Sequence, residues 1–292
     1  MSIFPRRKIR WRYKLLLLLV VFGVLIFWPH GNLVNQFKET VSQGTVLQKN
    51  EEKDKQAALA AQKKLREQKQ QQLLTTVRTE LSVNNKFGVA VYDINNAEAF
   101  GISELEQFHA ASVMKLLVAT TAFTDIEAGK YPLSNTTRYN LQQMINQSNN
   151  NSWEYFNQLQ GFGHQQVVAD NLQLTNVKVW GNLMSAKGVA ELLLKLYKGE
   201  ILTEEHRKLF LSYMQNTETE NRISPSIPAG VNFYHKTGTF EGGVHDTAIV
   251  IHPQSPFILV IFTNDTKGTP WEVRFKSIQN ASSAVYNYFS EI

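Results

Sequence analysis

The chain contains no cysteine. That excludes disulfides and thiolate metal sites, and it is compatible with an enzyme working outside the cytoplasm. Positive charge is scarce except in one place. Of the 30 Lys and Arg residues, Arg6, Arg7, Lys8, Arg10, Arg12 and Lys14 precede the first apolar run, which leaves 24 against 25 acidic residues elsewhere. No basic footprint remains for nucleic acid, which is set aside as a partner. His109, His164, His206, His235 and His252 show no spacing of metal ligands, so neither a metal nor a cofactor is expected. No internal repeat is evident.

One run, Leu15 to Trp28, is unbroken apolar sequence. It is short for a full span and matches the apolar core of a signal peptide in length. Pro29-His30-Gly31-Asn32 offers no small-residue cleavage pattern, and Trp11, Tyr13 and Trp28 bracket the run as interfacial aromatics do. Lys14 and its arginine neighbours can snorkel and lengthen the effective span. The expectation is a retained transmembrane anchor at 15–34 in the cell membrane, holding the lipid bilayer as a partner. A basic tail at 1–14 stays in the cytoplasm and the remainder lies outside, by the positive-inside rule. A cleaved signal is the competing reading. Residues 35–72 read as a polar helical stalk or linker. Gly31 to Val46 has no clear period and reads as loop or weak helix. Leu47 to Gln72 is rich in Gln, Lys, Glu and Ala, and Leu59 and Leu65 are too sparse for a durable coiled-coil seam. Self-association through the stalk is the alternative for this segment.

Residues 73–292 read as one domain. Leu73, Leu74, Val77 and Leu81 follow at helical spacing and form its first helix. Phe87 to Asp93 reads as a strand, Asn95-Asn96 as a turn, and Ala97 to Phe100 as a second strand. Helices are expected at Ser112–Ala128, Arg138–Gln147, Ser152–Leu159 and Gln165–Leu172. Ser185 and Thr203 read as N-caps of two more, Ala186–Tyr197 and Glu204–Met214. Strand signals return at Val231–Lys236, Thr247–Ile251 and Phe257–Thr263, before a last helix over Trp271–Phe289. Strands at both ends with helices between give an α+β plan. One antiparallel sheet would be flanked by the terminal helices, an all-helical lobe would fill the middle, and the site would lie between them.

Phe108-His109-Ala110-Ala111-Ser112-Val113-Met114-Lys115 is the stretch with chemical promise. A Ser and a Lys three apart at a helix start lie one turn from each other on one face. A buried lysine with a lowered pKa can take the proton of a serine hydroxyl and make it a nucleophile. Alone, Ser-x-x-Lys is as readily a cap on a core helix. Downstream, however, come Ser148-Asn149-Asn150 and His235-Lys236-Thr237-Gly238-Thr239, in order. With these three motifs the chain, from about Phe87 to its end, resembles the class A β-lactamase-like, penicillin-binding serine hydrolases.

The resemblance implies a β-lactamase/transpeptidase-like fold and the following roles. Ser112 would be the nucleophile and Lys115 its base or proton relay. Ser148 would pass a proton to the departing nitrogen. Asn150 would hold the substrate amide. Lys236, Thr237, Gly238 and Thr239 would bind the substrate and its carboxylate, with the backbone N–H groups of Ser112 and Thr239 as the oxyanion hole. His245 falls where many class A enzymes carry an arginine for the carboxylate, a role it could fill only when charged; a polar residue on a sheet surface is the plainer reading. Two departures stand out. Asn149 replaces the usual Asp. The stretch Leu172–Met184, where the family carries its deacylating Glu, contains neither Glu nor Asp. The expected protein is therefore an anchored, outward-facing enzyme. It would form an acyl-enzyme on Ser112 with β-lactams or acyl-D-Ala peptides of the peptidoglycan type, and hydrolyse it slowly. The alternatives are a D,D-peptidase-like penicillin-binding enzyme and a non-catalytic surface scaffold.

Overall fold

The computed structural model of the protein describes residues 31–291. The expected tail at 1–14 and nearly all of the expected anchor lie outside the described residues. Among those described, no helix is long and apolar enough to cross a membrane. The chain divides into two units, Met1–Lys64 and Leu65–Ile292.

Helix α1 spans Gly31–Leu81. The expected loop at Gly31–Val46 is therefore helical. Its described side chains, such as Gln36, Lys38 and Glu39, are exposed, and a helix wet all round has no apolar stripe to read as a period. The second unit starts within this helix at Leu65. Arg66 and Gln70 both reach the carboxylate of Glu98. Leu73, Val77 and Leu81, at i, i+4 spacing, are buried.

Five strands form one antiparallel sheet in the order β2-β1-β7-β6-β5. They are β1 (Lys86–Asp93), β2 (Glu98–Ile102), β5 (Phe233–Phe240), β6 (Gly243–Val250) and β7 (Phe257–Asn264). The sheet is covered on both faces, as alternation along β7 shows. Leu259 and Ile261 join Leu73, Val77, Leu81 and the last helix, α8 (Trp271–Ser290), through Ile278, Ala281 and Val285. Ile258, Val260 and Phe262 face the other core, which contains α2 (Lys115–Glu127) and α6 (Ala186–Lys198).

The helical lobe comprises α2, α3 (Asn135–Asn146), α4 (Asn150–Gln160), α5 (Phe162–Asn171) and α7 (Glu204–Tyr213). Helices α3 and α4 begin earlier than the apolar pattern suggests, because polar caps and first turns carry no hydrophobic signal; α5 begins at Phe162, straight after Gly161, whose φ of 72° ends α4. Ser134 Oγ accepts from Thr137 N at the head of α3, and Ser185 Oγ accepts from Gly188 N at the head of α6. Thr203 does not cap α7 with its side chain. Its hydroxyl and its N–H both donate to Glu127 Oε1 at the end of α2.

A second, two-stranded sheet escapes the sequence patterns. Strand β3 (Gln107–His109) pairs with β4 (Leu183–Ser185). Three-residue strands have too little alternation to announce themselves. This one clamps the loop after α5 beside the segment that leads into Ser112.

Candidate active site

Ser112 lies in a 3-10 turn, Ala111–Met114, that leads directly into α2. Val113 N donates to Ala110 O at 3.0 Å and closes the turn. Ala111 is held at φ 50° and Ser148 at φ 53°. Non-glycine residues sit there only when surroundings compel it, and such strain gathers at functional sites. Ala111 is pinned from both sides. Ala110 N donates to Asn182 O at 2.7 Å, and Asn182 Nδ2 donates to Ala111 O at 3.3 Å.

Lys115 points from the first turn of α2 to the junction of α3 and α4. Its Nζ donates to Ser148 O at 2.5 Å and to Asn150 Oδ1 at 2.7 Å. Among the described residues no hydrogen bond joins it to Ser112 Oγ. The side chain is fully buried, and burial lowers its pKa to about 8. Lys236 approaches Ser148 from the opposite side. Its Nζ donates to Ser148 Oγ at 2.9 Å and to Thr237 O at 3.1 Å. Burial, and then the charge of Lys115, brings its pKa down to about 7. The Ser148 residue thus bridges two buried amines, one through its carbonyl and one through its hydroxyl. The Asn149 departure is accounted for locally: its Oδ1 accepts from Ser152 N and caps α4. Asn caps as well as Asp does.

Strand β5 is an edge of the sheet, and it runs on through the Lys-Thr-Gly motif to Phe240. The polar run reads as a strand end, yet Lys236↔Thr247 and Thr239↔Val244 continue the pairing with β6. Gly238 explains how β5 meets the turn that holds Ser112. A Cβ there would lie 2.8 Å from Ala110 O and 3.2 Å from Ser112 N. Only a residue without a side chain lets strand and turn touch. Ser112, Lys115, Ser148, Asn150, Lys236 and Gly238 are therefore brought together, with Thr237 beside them and Thr239 exposed at the rim.

His245 is not part of this group. It is buried in β6, where Nε2 donates to His109 O at 2.9 Å and Nδ1 accepts from Thr263 N at 3.2 Å. An imidazole that accepts at Nδ1 is neutral. Burial dominates, and the nearby Arg222 cation adds to it, so the pKa falls to about 3. The expected charged anchor for a carboxylate is overturned. A cation missing from the sequence reading stands behind the rim instead. Arg222 is buried and donates through Nη1 to Gly238 O at 2.9 Å and to His245 O at 2.6 Å, and through Nη2 to Thr239 Oγ1. It precedes a short 3-10 turn in a long irregular stretch, where no motif marks it. Only the register of β5 against β6 brings its targets together.

The loop at 172–184 is tied down without offering an acid to the cleft. Thr175 N and Oγ1 both donate to Glu191 on α6, at 2.7 and 2.8 Å. Val179 N donates to Gln166 Oε1 at 2.9 Å. The nearest candidates by sequence, Asp170 and Glu154, are exposed, and each accepts from a glutamine four residues away on its own helix. Among the described residues no cluster of His, Cys, Asp or Glu could hold a metal ion.

The sequence model of the β-lactamase enzyme family matches residues 70–169 and 140–289. The extended-spectrum β-lactamase PER-1 of Pseudomonas aeruginosa is 25% identical, over 61% of this chain and 75% of its own. The β-lactamase VEB-1 of the same organism is 22% identical, over 70% and 86%. Among solved structures, a β-lactamase from Chitinophaga pinensis DSM 2588 superposes with a TM-score of 0.67 at 20% identity, covering 75% of this chain and 98% of its own. The structure of PBP-A superposes with a TM-score of 0.68 at 20% identity, covering 76% and 97%. The fold is the β-lactamase/transpeptidase-like fold, and the chain belongs to the β-lactamase enzyme family.

Proposed function

We propose that the protein is a serine hydrolase that forms an acyl-enzyme on Ser112 with β-lactams or acyl-D-Ala peptides and releases it slowly. The observation that carries this reading is the pair of buried amines meeting at Ser148 beside the Ser112 turn, combined with a loop at 172–184 that bears no carboxylate. Neutral Lys115 takes the proton of Ser112 Oγ as that oxygen attacks the carbonyl. The backbone N–H groups of Ser112 and Thr239 receive the developing oxyanion, each donor contributing about 3–4 kcal/mol in comparable enzymes. Ser148 relays a proton to the departing nitrogen, and Asn150 holds the acyl amide. Charged Lys236, Thr237 and Thr239 bind the carboxylate, with Arg222 behind Thr239 supplying the second positive charge that His245 lacks. Hydrolysis of the ester then proceeds without the positioned carboxylate base that typically contributes about 10²–10⁴-fold.

A D,D-peptidase-like, penicillin-binding activity is the second reading, and the same acid-free loop favours it. The apolar run Leu15–Trp28 behind six basic residues supports a membrane-anchored enzyme with its catalytic unit outside the cytoplasm. Intact-mass spectrometry of the full chain with penicillin over time tests the reading. The expected result is one adduct per chain that persists far longer than it takes to form. Absence of an adduct would leave a scaffold with this fold, and rapid loss of the adduct would mean an efficient hydrolase.

A further inference from the structure

An aromatic ring also lies against the Lys115 amine. Trp153 lies three residues after Asn150 on α4, so both side chains project from one helical face toward Lys115. The centroid of the Trp153 ring is 5.1 Å from Lys115 Nζ, within the range of a cation–π contact. An ammonium has three N–H donors. Among the described residues two find acceptors, Ser148 O and Asn150 Oδ1, which leaves the third for the indole face. Lys115 has no exposed surface. Trp153 itself packs against the core of the helical lobe, and its Nε1 is buried without a hydrogen-bond partner among the described residues. A buried N–H left unpaired is costly, so this ring is held in place by its packing and by the lysine rather than by a bond of its own.

Hydrolysis of a Ser112 ester requires a water whose proton a base can take. The water oxygen attacks the acyl carbon, its proton passes to neutral Lys115 Nζ, the bond to Ser112 Oγ breaks, and Oγ recovers a proton from Lys115. With the loop at 172–184 free of carboxylates and with Asp170 and Glu154 engaged on exposed helix faces, Lys115 is the base at hand. That step therefore depends on water reaching Lys115, which is buried and has the indole of Trp153 against its amine.

We propose that Trp153 is a positioning residue that shields Lys115 from water and so sets the lifetime of the acyl ester on Ser112, an inference that rests on the acyl-enzyme reading above. Shrinking the ring should open room for a water beside the amine. The test follows adduct formation and decay separately, by intact mass, on the full chain with penicillin. Trp153→Ala should shorten the adduct's lifetime by about tenfold or more while the rate of formation changes by less than about threefold, a split that mere loss of stability does not produce. Its decay should speed up as pH rises through about 8, where Lys115 gives up its proton. Trp153→Phe, which keeps an aromatic face, should retain the long-lived adduct. Trp153→Val keeps an apolar side chain in the packing and gives the same comparison if the alanine variant does not fold. Adducts on the alanine and valine variants that last as long as on the native chain overturn the proposal, as does a phenylalanine variant that decays as fast as alanine. A native chain that never forms the adduct is a different result, because then the acyl-enzyme reading itself has failed.

Discussion

Ser112 and Gly238 are both small, and replacing either by alanine has opposite structural meaning. Ser112→Ala removes one oxygen from a half-buried side chain that caps nothing. It should abolish the penicillin adduct while costing at most about 1 kcal/mol of stability, which adduct mass and thermal unfolding measure together. Gly238→Ala adds one carbon where 2.8 Å separates it from Ala110 O. Strand β5 and the Ser112 turn must then part, so the adduct should form much more slowly even though the serine and both lysines remain. The two lysines also set the pH response. On the acyl-enzyme reading the productive form has Lys115 neutral and Lys236 charged, and their pKa values are about 8 and about 7. Adduct formation should follow a bell-shaped profile with its maximum between those values, titrating as a coupled pair. His245 should leave no trace near pH 6.5, because its pKa of about 3 keeps it neutral throughout. A limb near pH 6.5 that disappears in His245→Asn would restore the histidine to the site.

At the scale of elements, the head of α4 offers a clean test. Asn149→Ala removes the acceptor for Ser152 N and should destabilise by about 1 kcal/mol, whereas Asn149→Asp should restore or exceed native stability at the positive end of the helix. Urea midpoints of the three proteins decide this. The same helix shows why part of the site was legible and part was not. Ser112, Lys115, Ser148, Asn150 and Lys236 announce themselves because short motifs fix their spacing within one turn or strand. The strand at Phe257–Thr263 was legible from its unbroken apolar run, while β6 was legible only in its second half, since it begins at Gly243 rather than Thr247. Arg222 and Trp153 were not legible, since what they touch depends on register and on helix packing between segments far apart in sequence. His245 was misread for the same reason. An alignment to the family gives its neighbourhood along the chain, while burial between β5 and β7 decides its charge.

For the molecule as a whole, one buried charge cluster links stability to pH. His235 Nδ1 lies 3.2 Å from Asp246 Oδ1, and its Nε2 lies 3.1 Å from Glu220 Oε1. Burial alone would push its pKa down, but the two carboxylates outweigh it and hold it up at about 9. The folded value lies above the ordinary 6.5, so the stabilisation is fully present below about pH 6.5 and is lost as pH rises through about 9. The shift corresponds to something on the order of 3 kcal/mol. Lys115 and Lys236, whose values are lowered from 10.5, act in the opposite sense between about 7 and 10.5. The expected observable is therefore a difference: the stability gap between the native chain and His235→Gln should be widest near pH 6 and narrow by pH 10. A gap that stays constant would mean the imidazole is neutral in the fold.

The pairing of β1 with β7 carries a consequence for how the protein is made. Phe87 lies opposite Thr263, so a strand from the start of the domain finds its partner only after roughly 170 further residues have been added. At ribosomal speeds of about 5–20 residues per second, β1 and β2 wait on the order of ten to thirty seconds with an open, apolar edge. Contacts of such sequence separation also slow the folding search itself. Until β7 and α8 arrive to close the sheet, the nascent chain has an exposed hydrophobic hairpin and no completed cleft. Such a segment is the kind that aggregates, or that chaperones bind, before the rest of the chain is made.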